Sequence, residues 1–231
     1  MGADKSKREE GKGTVEFFKD LDKEALKTEK FIEKNARVLT VVFGVLVFGV
    51  LGYFAYDQFI AMPKNEEATQ SFFVAEKDLI EGKYKEALGG KAPNLGFLGT
   101  YKEFSDTPIG KLSAYNAGLI KFREGKYQEA YDLLDHFSSK NKILLALKYG
   151  AMADCQSNLN KNEEALSLLD KASSISEDPY TSYYFVKKAG VLSLALGKRK
   201  EAKEYFAKIA REYDEYDEGS SDSYIEMTRY Y

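Results

Sequence analysis

The stretch EGKYQEAYDLLDHF, Glu124 to Phe137, decides how this chain folds, because variants of its opening residues occur three more times. EGKYKEAL runs from Glu81 to Leu88, NKNEEAL from Asn160 to Leu166, and GKRKEAK from Gly197 to Lys203. The motif alanines Ala87, Ala130, Ala165 and Ala202 stand 43, 35 and 37 residues apart. Self-similarity at such a period marks a stack of small units, none of which can bury its apolar face without its neighbours.

Other offsets from the alanine say what each unit is. Twelve residues before it the chain has Ala75, Gly118, Ala153 and Gly190, all small, as two closely crossing helices require. Four residues after it, Leu134, Leu169 and Phe206 supply a large apolar group on the same face of a second helix. Five residues before it, Gly82, Gly125, Asn160 and Gly197 suit the turn that ends a first helix. Two antiparallel helices per unit with a period near 34 is the tetratricopeptide signature. The expected fold is therefore all-α, with a tetratricopeptide-like solenoid over residues 61–231. A divergent first repeat falls at about 65–100, further repeats at about 107–140, 142–175 and 179–213, and a C-terminal cap at 214–231. In the first unit GGKAPNLGFLG, Gly89 to Gly99, cannot easily continue a helix, so its second helix is expected to be truncated or replaced by a loop. Pro108, after Thr107, and Pro179 start later first helices, and a last helix is expected from about Asp222.

Toward the N-terminus lies VLTVVFGVLVFGVLGYFAY, Val38 to Tyr56, without one charge. As a helix it covers about 28 Å, close to the roughly 30 Å apolar thickness of a bilayer. It is apolar all round, unlike a core helix, and begins too late for a signal peptide. Residues 38–60 are thus expected to form a single transmembrane helix, with Tyr53 and Tyr56 at its aromatic end. Lys19, Lys23, Lys27, Lys30, Lys34 and Arg37 precede it closely, whereas Lys64 alone follows. The positive-inside rule then puts residues 1–37 in the cytoplasm and 61–231 across the membrane, which in a bacterial inner membrane is the periplasm. Gly44, Gly52 and Ala55 lie near one face, where a neighbouring helix can pack closely. Between Thr14 and Ile32, Val15, Phe18, Leu21, Leu26 and Ile32 recur at helical spacing. That segment either lies on the membrane surface, docks on a partner, or is a solvated helix; ten basic against nine acidic residues before Val38 favour none of these.

Composition narrows the function. A net charge of −3 from 34 basic and 37 acidic residues offers no basic patch for nucleic acid. His136 and Cys155 are the only histidine and cysteine, so no intramolecular disulfide can form, and neither sits in a nucleophile or metal motif. With no phosphate loop, paired-carboxylate motif or metal spacing, no catalytic residue, cofactor or small-molecule substrate is expected, and a binding protein is. First helices line the concave side of such a solenoid. Phe72 and Leu79, then Tyr115, Leu119 and Phe122, then Tyr184, Val191 and Leu194 face that way in this register. They either line a groove for a partner or pack against the neighbouring repeat. The lining lacks the Lys and Asn set with which cytosolic repeat proteins grip a C-terminal carboxylate.

The order of parts adds a resemblance. A charged segment leads through EKFIEKNARV into one membrane helix; ATQSFFVAEKDL then opens the repeats, with TPIGKLSAYNAGLIKF in their middle. From residue 14 to about 210 this resembles the YfgM family, ancillary subunits of the bacterial SecYEG translocon. The glycine-rich insertion after Leu88 and the acidic, tyrosine-rich tail depart from that pattern. The resemblance implies a non-enzymatic scaffold in the inner membrane whose anchor lies in lipid beside the translocon. It also implies a periplasmic repeat domain that associates with a membrane-anchored peptidyl-prolyl isomerase-like chaperone of the PpiD kind and passes on newly translocated chains. A scaffold for cell-envelope assembly or division, as in CpoB-type repeat proteins that lack this anchor, is the other class.

Overall fold

The computed structural model describes residues 31–217 and 219–230, so Val15, Phe18, Leu21 and Leu26 of the N-terminal amphipathic pattern lie outside the described residues. These residues are all-helical apart from their turns, and they form two units, residues 1–61 and 62–231, each treated by itself.

In the first unit residues 31–56 form helix α1, which widens to a π-helical turn at Asp57–Ala61. The helix is long and apolar enough to cross a membrane, and none of its most apolar stretch is buried. Val41, Phe43, Val45, Leu46 and Phe48 are all exposed, the state expected of side chains whose solvent is lipid. Near the start of the apolar run, Thr40 Oγ1 donates to the Ala36 carbonyl at 2.8 Å. Nothing polar is therefore left unpaired at that position, as a bilayer requires.

The second unit is a solenoid-like succession of helix pairs. Its first helices are α2 (Met62–Ile80), α5 (Pro108–Arg123), α7 (Lys142–Asn158) and α9 (Pro179–Ala195). Their partners are α3 (Tyr84–Gly89), α6 (Tyr127–Asp135), α8 (Asn162–Ile175) and α10 (Arg199–Glu212). An extra helix, α4 (Gly96–Glu103), follows α3, and α11 (Asp214–Asp217) and α12 (Ser220–Tyr230) close the unit. From α2 to α11 each helix packs on the next, α7 also touches α5 and α9, and α12 lies on α10.

The repeat motif works as its chemistry demands. Gly82, Gly125, Asn160 and Gly197 end the first helices in the left-handed region, at φ of 76°, 76°, 58° and 72°. At the crossings a Cβ on Gly118 would lie 2.9 Å from Leu134 Cγ, and one on Gly190 would lie 2.9 Å from the Phe206 ring. The four motif alanines are buried, and so are Leu134, Leu169 and Phe206. These residues anchor core clusters that run from one helix pair to the next.

The first unit of the series is built differently. Helix α3 stops at Gly89, as the glycines predict, but the chain then forms α4, which the same glycines argue against. Gly90 and Gly96, with φ of 73° and 64°, bring two stretches of backbone together so closely that no Cβ fits on either residue. Phe97, fully buried, is thereby delivered against Phe72, with ring centroids 5.4 Å apart. Tertiary burial of this one ring outweighs the poor helix propensity around it.

Candidate functional site

The first-helix face is built by repetition, so each exposed position can be followed from repeat to repeat. Leu112, Leu147 and Tyr184 occupy one equivalent position, 35 and 37 residues apart. Leu119, Asp154 and Val191 occupy another, one helical stretch further on. Leu147 is 41% exposed, Tyr184 49%, Leu119 37% and Val191 42%, while Leu112 is half-buried. In a domain whose core is otherwise filled, these large apolar groups form a broken stripe across successive first helices. Asp154 interrupts it, and its carboxylate holds Lys188 of α9 at 2.7 Å.

The eight groove residues named from the sequence divide into two groups. Leu119, Tyr184 and Val191 lie on the surface. Phe72 is buried and Leu79 packs against the same cluster between α2, α3, α4 and α5. Tyr115 and Phe122 are half-buried, each against an aromatic neighbour: Tyr115 meets Phe137 at 5.0 Å between centroids, and Phe122 meets Tyr127 at 5.3 Å. Leu194 packs on the last core cluster. Burial pushes the Tyr115 hydroxyl above the usual phenol range, as a half-enclosed ring should show. In α1, a Cβ on Gly44 or Gly52 meets nothing within 4 Å among the described residues.

Three residues of this face escape a motif-based reading: Leu112, Leu144 and Leu147. The signal was present in KILLALK, Lys142 to Lys148, where five apolar residues in a row exceed the single stripe a helix can bury. Ala146 takes the core position, and Ile143, Leu144 and Leu147 are left 41%, 38% and 41% exposed.

At the start of α5 and α7 the face opens into a cleft of about 570 Å³. Ile109, Leu112, Phe137 and Leu144 give it an apolar floor, and Asp106, Lys111 and Lys140 stand around it. Its walls are fixed by caps. Thr107 Oγ1 accepts from the Gly110 amide at 2.9 Å, and Asn141 Oδ1 accepts from the Ile143 and Leu144 amides at 2.9 and 3.2 Å. The back wall is tied down by Lys148, only 6% exposed, whose Nζ donates to the Asp135 and Phe137 carbonyls, both at 2.8 Å.

The remaining reactive groups have structural surroundings. Burial, with the Asp154 charge beside it, pushes the Cys155 thiol up to about 12, so no thiolate forms near neutral pH. His136 ends α6 and its ring lies 5.3 Å from that of Tyr101. Among the described residues no group of three or more His, Cys, Asp or Glu is placed to hold a metal ion. No protein-family model matches the chain, and no curated protein matches it either.

Proposed function

We propose that this chain is a non-catalytic membrane scaffold, anchored by α1, which binds protein partners on the first-helix face of its repeats. The observation that carries the reading is the exposed apolar stripe of Leu119, Leu147, Tyr184 and Val191, joined in one chain to a helix long and apolar enough to span a bilayer. Exposed apolar groups at equivalent repeat positions are what a solenoid uses to grip an extended partner. The lysine-rich flank before Val38 supports an N-terminus in the cytoplasm and repeats on the far side of a bacterial inner membrane. With the order of parts that resembles the YfgM family, the partners are the Sec translocon and a membrane-anchored isomerase-like chaperone, and the role is to pass newly translocated chains to envelope chaperones.

The test is purification of the tagged full chain from its native membrane in mild detergent, followed by mass spectrometry. Recovery of SecY with a membrane-anchored isomerase is expected, and recovery should fall at least tenfold in the Leu147→Glu, Tyr184→Glu double variant. Both side chains are exposed, and an unchanged helical circular dichroism spectrum of the variant is the control. Envelope-assembly proteins without SecY would replace the translocon reading, and equal recovery by the double variant would remove the stripe from it.

A further inference from the structure

The cleft between the starts of α5 and α7 has a chemistry of its own. Its floor is apolar and its rim is cationic. Lys111 and Lys140 make no ion pair among the described residues. Asp106, the one carboxylate lining the cleft, is already held by Lys64 of α2, with Nζ 2.7 Å from Oδ1 and 2.8 Å from Oδ2. The rim therefore carries net positive charge around Ile109, Leu112, Phe137 and Leu144. Lys148 donates two hydrogen bonds to backbone carbonyls and so fixes the loop that carries Phe137, and Tyr115 backs the Phe137 ring. Leu144 is thus held open to solvent by a capped helix and an anchored loop rather than by a loose surface.

We propose that this cleft is a docking pocket for an extended segment of a partner protein carrying a bulky apolar side chain flanked by carboxylates. The apolar side chain enters over Leu112 and Leu144, and the flanking carboxylates meet Lys111 and Lys140. The acidic C-terminal tail of the same chain is not the occupant in cis, because α12 lies on α10 and Asp217 is buried beside Tyr183. The assignment rests on the partner-binding reading of the first-helix face and names the partner's chemistry at one end of it.

The experiment uses the full chain in detergent and three fluorescein-labelled nonapeptides that share one sequence: a central Leu-Phe flanked by Glu, the same pair flanked by Lys, and Ala-Ala flanked by Glu. Fluorescence anisotropy should give the Glu-flanked Leu-Phe peptide an affinity about fivefold above the Lys-flanked one, as two partly exposed ion pairs allow. The preference should shrink in high salt. Leu144→Ser should weaken binding about tenfold, and Lys111→Glu with Lys140→Glu should reverse the charge preference. Absence of binding by all three peptides, or a preference that the charge reversal leaves unchanged, overturns the pocket. Loss of the chain's own self-association in the charge-reversed variant would also overturn it, by making a second copy the occupant. Native-membrane partners that depend on Leu147 and Tyr184 but not on Leu144, Lys111 or Lys140 would remove the pocket while leaving the wider reading standing.

Discussion

The two ends of the repeat domain solve one problem by opposite means. A stacked unit at either end has no neighbour to cover its outer face. At the N-terminal end the chain folds an insertion back and buries the Phe97 ring on Phe72 and the helices beside it. At the C-terminal end it lays α12 on α10, stacks Tyr224 on Phe206 with centroids 4.6 Å apart, and locks the turn with Asp217. That carboxylate is 4% exposed and accepts from Tyr183 Oη at 3.1 Å, Ser220 Oγ at 2.7 Å and the Ser221 amide at 2.6 Å. Lys187 Nζ stands 3.4 Å away. An apolar closure depends on volume alone, whereas a buried carboxylate depends on its charge, so the two ends should fail under different conditions.

The sharpest break comes at Phe97. Phe97→Ala removes a fully buried ring that four helices share, and it should cost about 3–5 kcal/mol. Urea unfolding of the full chain in detergent, followed by helical circular dichroism, measures the loss. A cost under about 1 kcal/mol would mean that the insertion is an ornament of the first repeat rather than its closure.

Asp217 is next. Burial opposes its charge, but the Ser220 hydroxyl, the Ser221 amide and Tyr183 prevail and hold the carboxyl at about 2, below its ordinary 3.8. A depressed carboxylate stabilises fully above its unfolded value, and that contribution disappears as pH falls from 3.8 through about 2. Asp217→Asn should cost about 1–3 kcal/mol near neutral pH, and its deficit against the parent should narrow across that acid window. Amide exchange in α12 measured at neutral pH and at acid pH reads both effects. A constant deficit would show that shape, not charge, holds the C-terminal end. Phe97→Ala should show no such narrowing.

These ends also mark where the sequence could be read and where it could not. Gly82, Gly125, Asn160 and Gly197 were legible because a left-handed turn admits few residue types. Gly118 and Gly190 were legible because Leu134 and Phe206 need the space that a Cβ would take. Helix α4 was not, since Pro93, Gly96 and Gly99 argue locally against a helix that exists to bury one distant ring. For the candidate site, repeat register picked out equivalent positions on the first helices but not which aromatic neighbour would close over each residue. Tyr115 and Phe122 therefore read like groove residues yet pack on Phe137 and Tyr127, while the leucines of α7 that remain exposed belong to no motif.

The smallest expected effect extends the comparison to the helix caps. Thr107 precedes Pro108 at the start of α5, and Asp178 precedes Pro179 at the start of α9. Thr107, 7% exposed, donates to the Phe104 carbonyl at 2.8 Å and accepts from the Gly110 amide. Thr107→Ala leaves that amide unpaired inside the N-terminal half and should cost about 1 kcal/mol at any pH. Asp178 is a charged cap: its bonds from the Thr181 hydroxyl and amide hold its carboxyl below the usual range. Asp178→Ala should cost less, since water can replace a cap at the surface, and the cost should fade as pH falls below 3.8 and the parent's carboxyl protonates. Thermal midpoints of the two variants and the parent at neutral and acid pH separate the cases. Parallel narrowing for both would show that acid loosens the whole repeat stack, and the distinction between an apolar and a charged end would then be lost.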